Sequence, residues 1–155
     1  MASLRSQILS AAEAKLEAVK TGLAWTSMLR NPREQVGQDQ FDAIVMLDGG
    51  DRAPRGLTGR VEERWVEFSV GLMVLHTKDD AAEAKLDEGM VAVIDALIDP
   101  DDIQLGGLAI DIELGAISDP VFGRSQDGAR VVGGQSIEFM VHYLALEGDF
   151  SAVAP

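Results

Sequence analysis

From Val61 to His76 the side chains alternate with a period of two. Val66, Phe68, Val70, Leu72 and Val74 share one side, and Trp65, Glu67, Ser69, Gly71 and Met73 share the other. A helix would scatter these residues around its circumference, so the run predicts a long strand. The strand needs a partner along its length, because unpaired backbone N–H and C=O groups in a core are costly. Its wholly apolar side should meet helices. The other side also carries large apolar groups, and it is too apolar for open water unless something covers it.

The rest of the chain supplies the partners. Ser3 is placed as the N-cap of a first helix running to about Lys20, with Leu4, Ile8, Ala12, Leu16 and Val19 at helical spacing and Arg5 intruding on the same stripe. Gly22 reads as its C-cap, and Leu23 to Leu29 as a strand stopped by Asn31-Pro32. Phe41 to Leu47 reads as a second strand, closed by Asp48-Gly49-Gly50. After the long strand, Thr77-Lys78-Asp79-Asp80 has the form of a capping box that opens a second helix reaching Ile98. Ala82, Leu86, Met90, Val93, Ile94 and Leu97 form its apolar stripe, and Asp99-Pro100 ends it. Leu105 to Leu108 is a turn, Ile110 to Leu114 a fourth strand, Ser118 to Gly134 a loop, and Ser136 to Leu146 the last strand. The order is helix, three strands, helix, two strands. It predicts an α+β fold: a mostly antiparallel sheet of about five strands with both helices packed on one face. Residues 1–148 are expected as one domain, and 149–155 as a flexible C-terminal tail.

The chemistry that the residues offer is sparse. The 155 residues contain no cysteine, which excludes disulfides, thiolate metal sites and a cysteine nucleophile. His76 and His142 are the only histidines, and neither has the carboxylate spacing of a metal-binding helix. No Gly-x-Ser-x-Gly elbow is present, and no lysine-serine or lysine-threonine follows the glycine pairs to make a phosphate loop. We expect no catalytic residue, no cofactor and no metal. The net charge of −13 sets the surface against phosphate, so general nucleic-acid and anionic-membrane binding are not expected. No apolar run approaches the roughly 18 residues of a membrane span. The first residues lack a signal-peptide core, so synthesis and folding in the cytoplasm are expected.

One segment runs against this acidic background. Arg52, Arg55, Arg60 and Arg64 cluster in and beside a glycine- and proline-containing loop from 49 to 60. They are read either as charges offsetting Glu62 and Glu63 or as an arm that meets an acidic partner surface, such as another copy of the chain.

Taken over residues 3 to 148, the element order resembles that of the tail terminator proteins of long-tailed phages and phage-like particles. Local phrasing is also similar: Arg30-Asn31-Pro32-Arg33 after the first strand, Leu47-Asp48-Gly49 closing the second, and Leu105-Gly106-Gly107-Leu108 before the fourth. The resemblance implies a homo-oligomer, a hexameric ring, located in the tail of a virion or phage-like particle. The ring caps the tail tube, stops its polymerisation and joins the head connector, or stopper, while DNA passes its channel without specific binding. It carries no catalytic residues, so Arg52, Arg55, Arg60 and Arg64 stand as candidate subunit or tube contacts. Two other functions fit the same residues: a different ring component of the connector or tube, and a small cytosolic module that binds a ligand against its sheet.

Overall fold

A computed structural model describes residues 2–51, 55–56, 60–146 and 149–153. The elements run α1 (Leu4–Leu23), β1 (Ser27–Arg30), β2 (Ala43–Asp51), β3 (Arg55–Gly56), β4 (Val61–His76), α2 (Asp79–Leu97), β5 (Asp111–Ile117), β6 (Val121–Arg124), β7 (Val131–Leu146) and β8 (Asp149–Val153). Short 3-10 turns at Gln38–Gln40 and Leu105–Gly107 punctuate the connections. The fold is α+β. Its main sheet has the five-strand order β1-β2-β4-β7-β5, with the shorter β3 beside β4 and β6 and β8 beside β7. Every pair is antiparallel except β1 with β2, whose parallel alignment uses residues 31–42 as its crossover.

β4 and β7 pair without interruption from Val61 opposite Leu146 to His76 opposite Val131. The expected strand 61–76 is therefore formed over its whole length. On the side facing the helices, Val66, Phe68, Val70, Leu72 and Val74 meet Ile137, Phe139, Val141 and Tyr143, all buried. Phe68 lies opposite Phe139 in the ladder, and their rings stack with centroids 5.3 Å apart. Leu4, Ile8, Leu9, Ala12 and Leu16 of α1 and Ala82, Leu86, Val93 and Leu97 of α2 close the core over them.

The other side is only partly covered. Ala43 and Val45 are buried there, and Phe41, Val36 and Gln38 of the β1–β2 crossover line a hollow with Met73 and Val132. Farther along, Trp65 stacks on His142 with ring centroids 4.9 Å apart, while Leu47 remains 47% exposed.

Several local expectations give way. Gly22 does not cap α1; the helix continues to Leu23 and Ala24 takes the left-handed position, with Trp25 N bonded to Lys20 O at 3.0 Å. Burying Leu23 and Trp25 against the core is the gain, and it shortens the first strand to Ser27–Arg30. The N-cap of α2 is Lys78 rather than Thr77, and the capping box does not form; Thr77 Oγ1 turns to His76 Nδ1 instead. β2 runs on past Leu47 to Asp51 through a bulge at Gly49-Gly50. The stretch from Ser118 to Gly134 is not a loop throughout. It forms β6, a turn with Gly128 at φ 72°, and the start of β7. Asp127-Gly128 is the hairpin signal there, closed by Ser125 N to Arg130 O at 2.8 Å. Part of the expected tail, Asp149–Val153, runs as β8 along the end of β7. Residues 154–155 lie outside the described residues. No helix among the described residues is long and apolar enough to cross a membrane.

The seat of Trp25 offers a direct check on the packing of α2. A Cβ added at Gly89 would lie 2.5 Å from Trp25 Cη2 and 2.9 Å from Cζ2. In an open helix, Gly→Ala stabilises by about 1 kcal/mol. Here overpacking opposes that gain, and Gly89→Ala should destabilise the fold by about 1–3 kcal/mol. Adding Trp25→Phe, whose ring is shorter, should recover part of the Gly89→Ala loss. Urea melts of the two single variants and the double variant test this; a stabilised Gly89→Ala chain would show that the indole yields freely.

Candidate assembly interface

The strand that precedes the arginine-bearing segment is held at its end by charged groups. Arg30 on β1 clamps Asp48 with two bonds, Nε to Oδ1 at 3.2 Å and Nη2 to Oδ2 at 2.9 Å, while its Nη1 donates to Glu13 Oε2 of α1 at 2.9 Å. Just beyond Asp48, Arg5 Nη2 donates to Gly49 O at 2.7 Å, and Arg5 Nε donates to Asp51 Oδ1 at 3.0 Å. Gly49 is needed where β2 approaches β4, because a Cβ there would lie 2.7 Å from Glu67 O. The root thus joins α1, β1 and β2 through charged groups.

The four candidate arginines are placed differently. Arg52 lies outside the described residues. Arg55 is in β3, opposite Glu63 of β4, and its side chain lies outside the described residues. Arg60 is exposed, with its backbone at φ 66°, and forms no ion pair among the described residues. Arg64 turns to its own chain: its Nε and Nη2 each lie 3.0 Å from Glu62 Oε2, and its side chain is only 15% exposed. The structure therefore separates Arg64, which is engaged within the fold, from Arg60, which faces solvent.

The two histidines have local partners. His76 Nδ1 accepts from Lys78 N at 3.3 Å. His142 Nε2 lies 2.6 Å from Glu63 Oε1, an ion-pair distance whose angle is not that of a hydrogen bond, and its ring is held against Trp65. Among the described residues no three His, Asp or Glu side chains are grouped so as to hold a metal ion.

Two features escape the reading by motif. Arg5 and Arg30 hold the root of the arm, and the one visible signal was a charge on the apolar stripe of α1. The second is the free edge of the sheet, where Leu114, Ile117, Val121 and Phe122 are exposed on β5 and β6. Alternation on β5 was legible, but β6 was hidden in an apparent loop.

No family model matches the chain, and no curated protein matches it. Among solved structures the chain is similar to one in the "Virion of native gene transfer agent (GTA) particle", at 14% identity and a TM-score of 0.50. The match covers 90% of this chain and 95% of that chain. At such identity the likeness is one of fold.

The Arg30–Asp48 clamp makes stability depend on acidity in a defined direction. Burial alone would raise the Asp48 carboxyl, but bonds from Arg30 and Asn31 outweigh it and hold the group below the ordinary carboxylate range. The unfolded chain therefore takes up this proton first on acidification. The contribution is fully present above the ordinary carboxylate value of about 3.9 and is lost as pH falls through the lower folded value. Asp48→Asn should cost roughly 1–3 kcal/mol at neutral pH, from lost charge-assisted bonds. The gap to the native chain should narrow as pH drops towards about 3. Denaturant midpoints across that range check this; parallel curves would remove Asp48 as the cause.

Proposed function

We propose that the chain is a structural protein of a phage-like particle and acts there as its tail terminator. Copies close into a ring, taken as hexameric, that caps the tail tube, ends its growth and presents a face to the head connector. The observation that carries this reading is the fold shared, over nearly the whole of both chains, with a component of a gene transfer agent virion. The helix-strand order and the local sequences at 30–33, 47–49 and 105–108 support the narrower role. The role requires no catalysis and no cofactor, and none is proposed.

The physical character of the subunit supports it as well. A ring needs surfaces that are apolar enough to associate and different enough to close by rotation. The chain has a partly covered sheet face and an exposed apolar sheet edge. Its acidic excess would also keep DNA in a central channel from adhering, since phosphate and carboxylate repel.

Mass photometry and negative-stain imaging of the purified chain, alone and with tail tubes, test the proposal. Subunits of charge −13 repel at low ionic strength, so raising salt from about 0.05 to 0.5 M should favour the ring unless arginine contacts dominate the interface. Rings seated at one end of tubes, with tube length arrested, are expected. Rings that stack into tubes would instead make this a tube subunit. A single copy under every condition, with tubes present, would overturn the assembly role and favour a ligand-binding module.

A further inference from the structure

Both margins of the main sheet are open edges. Among the described residues β1 pairs only with β2, and β5 only with β7, so the outer backbone groups of both strands have no strand beside them. Such an edge is a template for another chain. The two edges match in length: β5 is regular over residues 111–114 before its bulge, and β1 is Ser27–Arg30. They also match in direction. β1 runs with β2, and β2, β4, β7 and β5 alternate, so β1 is antiparallel to β5. A second copy whose sheet continues outward from the first therefore lays its β1 antiparallel along β5, the more stable of the two pairings.

The side chains of β5 show that it lacks a neighbour. Leu114 and Ile117 lie opposite Phe139 and Ile137, so both are on the helix side of the sheet, and each is 41% exposed. α1 packs on β1 and β2, and α2 on β4 and β7, which leaves β5 at the margin of the helical layer. Met28 of β1 is on the same side, opposite Ile44, and is half-buried. Charge selects the partner. β5 carries Asp111 and Glu113 and no cation, whereas β1 carries Arg30 and no carboxylate. Two β5 edges together would bring the carboxylates of both copies onto one face, where like charges destabilise a pair. β1 presents Ser27 and Leu29 on that face instead, opposite Ala43 and Val45 of its own sheet.

We propose that β5 of one copy pairs antiparallel with β1 of the next, so that the sheet runs on from subunit to subunit. The two edges are different surfaces, so the contact repeats head to tail and closes only by rotation. Residues opposite one another must share a face, and the registers that keep this over most of both strands set Glu113 against Ser27 or against Leu29. Met28 then meets Ile112 or Leu114. The proposal rests on the reading of the chain as a ring subunit and adds the strands through which copies meet.

The chain has no cysteine, so introduced thiols report this contact without background. One variant carries Ser27→Cys with Glu113→Cys, the other Leu29→Cys with Glu113→Cys, one for each register. Within a single copy β1 and β5 are four strand spacings apart, about 19 Å, whereas a disulfide needs Cα atoms within about 7 Å. Thermal melts verify folding, and assemblies formed under reduction are then oxidised. One of the two pairs should convert the monomer band of a denaturing gel into a ladder of covalent multiples ending at the ring size. Each single-cysteine chain should stay monomeric; one that links to its own kind would set like edge against like and overturn the contact. Rings in which both pairs stay monomeric would overturn it while leaving the ring intact. The native chain gives a readout free of substitutions. On assembly, amide exchange in Ser27–Arg30 and in residues 111–114 should slow together, by at least about tenfold. Unchanged exchange in both segments of an assembled ring would overturn the contact whatever the variants do. A native chain that never assembles would overturn the ring and the contact together.

Discussion

The pairing of β4 with β7 is the constraint from which the remaining structure follows. Each strand supplies 16 residues, and their ladder runs unbroken along both. So long a pairing fixes register strictly, because a slip by one residue would exchange Phe68, Val70 and Leu72 for Glu67, Ser69 and Gly71 on the core side. It also sets the span that the helices must cover. α1 and α2 lie on one face, and β2 extends that face with Ile44 and Met46, both buried. The Val131 end of β7 pairs in addition with β6.

How much of this was legible depended on whether local pattern and tertiary packing agreed. They agreed for Val61–His76, where the period-two pattern alone gave both ends of the strand, and for the stripe of Ala82, Leu86, Val93 and Leu97 on α2. They disagreed where a side chain was worth more in the core than in its local motif. Trp25 looks like one member of an alternating strand, but it packs against Gly89, so the chain turns at Ala24 instead of at Gly22. Thr77 has capping-box spacing, but the ladder reaches His76 and leaves no room for the box. The β6 hairpin was obscured because its strands contain Gly123, Gly133 and Gly134. Gly133 lies against Leu86, Phe122 and Val74, where a Cβ would meet all three within about 3.1 Å, so packing accounts for a residue that sequence alone assigns to a loop.

The candidate interface was legible in charge and not in position. Four arginines stood out against an acidic chain, but sequence could not distinguish Arg64, turned to Glu62, from Arg60, open to solvent. That distinction is one of strand parity and backbone conformation. Arg5 and Arg30 matter for the opposite reason. Arg5 looked like a flaw in an apolar stripe and Arg30 like part of a turn, and each bonds to the segment from Asp48 to Asp51. Charged residues at the edge of a core stripe tend to carry this kind of meaning, since they can reach both buried and exposed groups.

The clamped root also has a mechanical side. A pull on the segment beyond Asp51, directed along β2, would load the hydrogen bonds between β2 and β4 side by side and pass on to β7 through the longest ladder in the molecule. Bonds loaded together in shear resist far more force than bonds opened one after another. The Arg5 and Arg30 bonds add a second route that leads into α1. The Asp51 end of β2 is thus anchored like a tendon, and a tug on it would be borne by the whole sheet before any single strand peeled away.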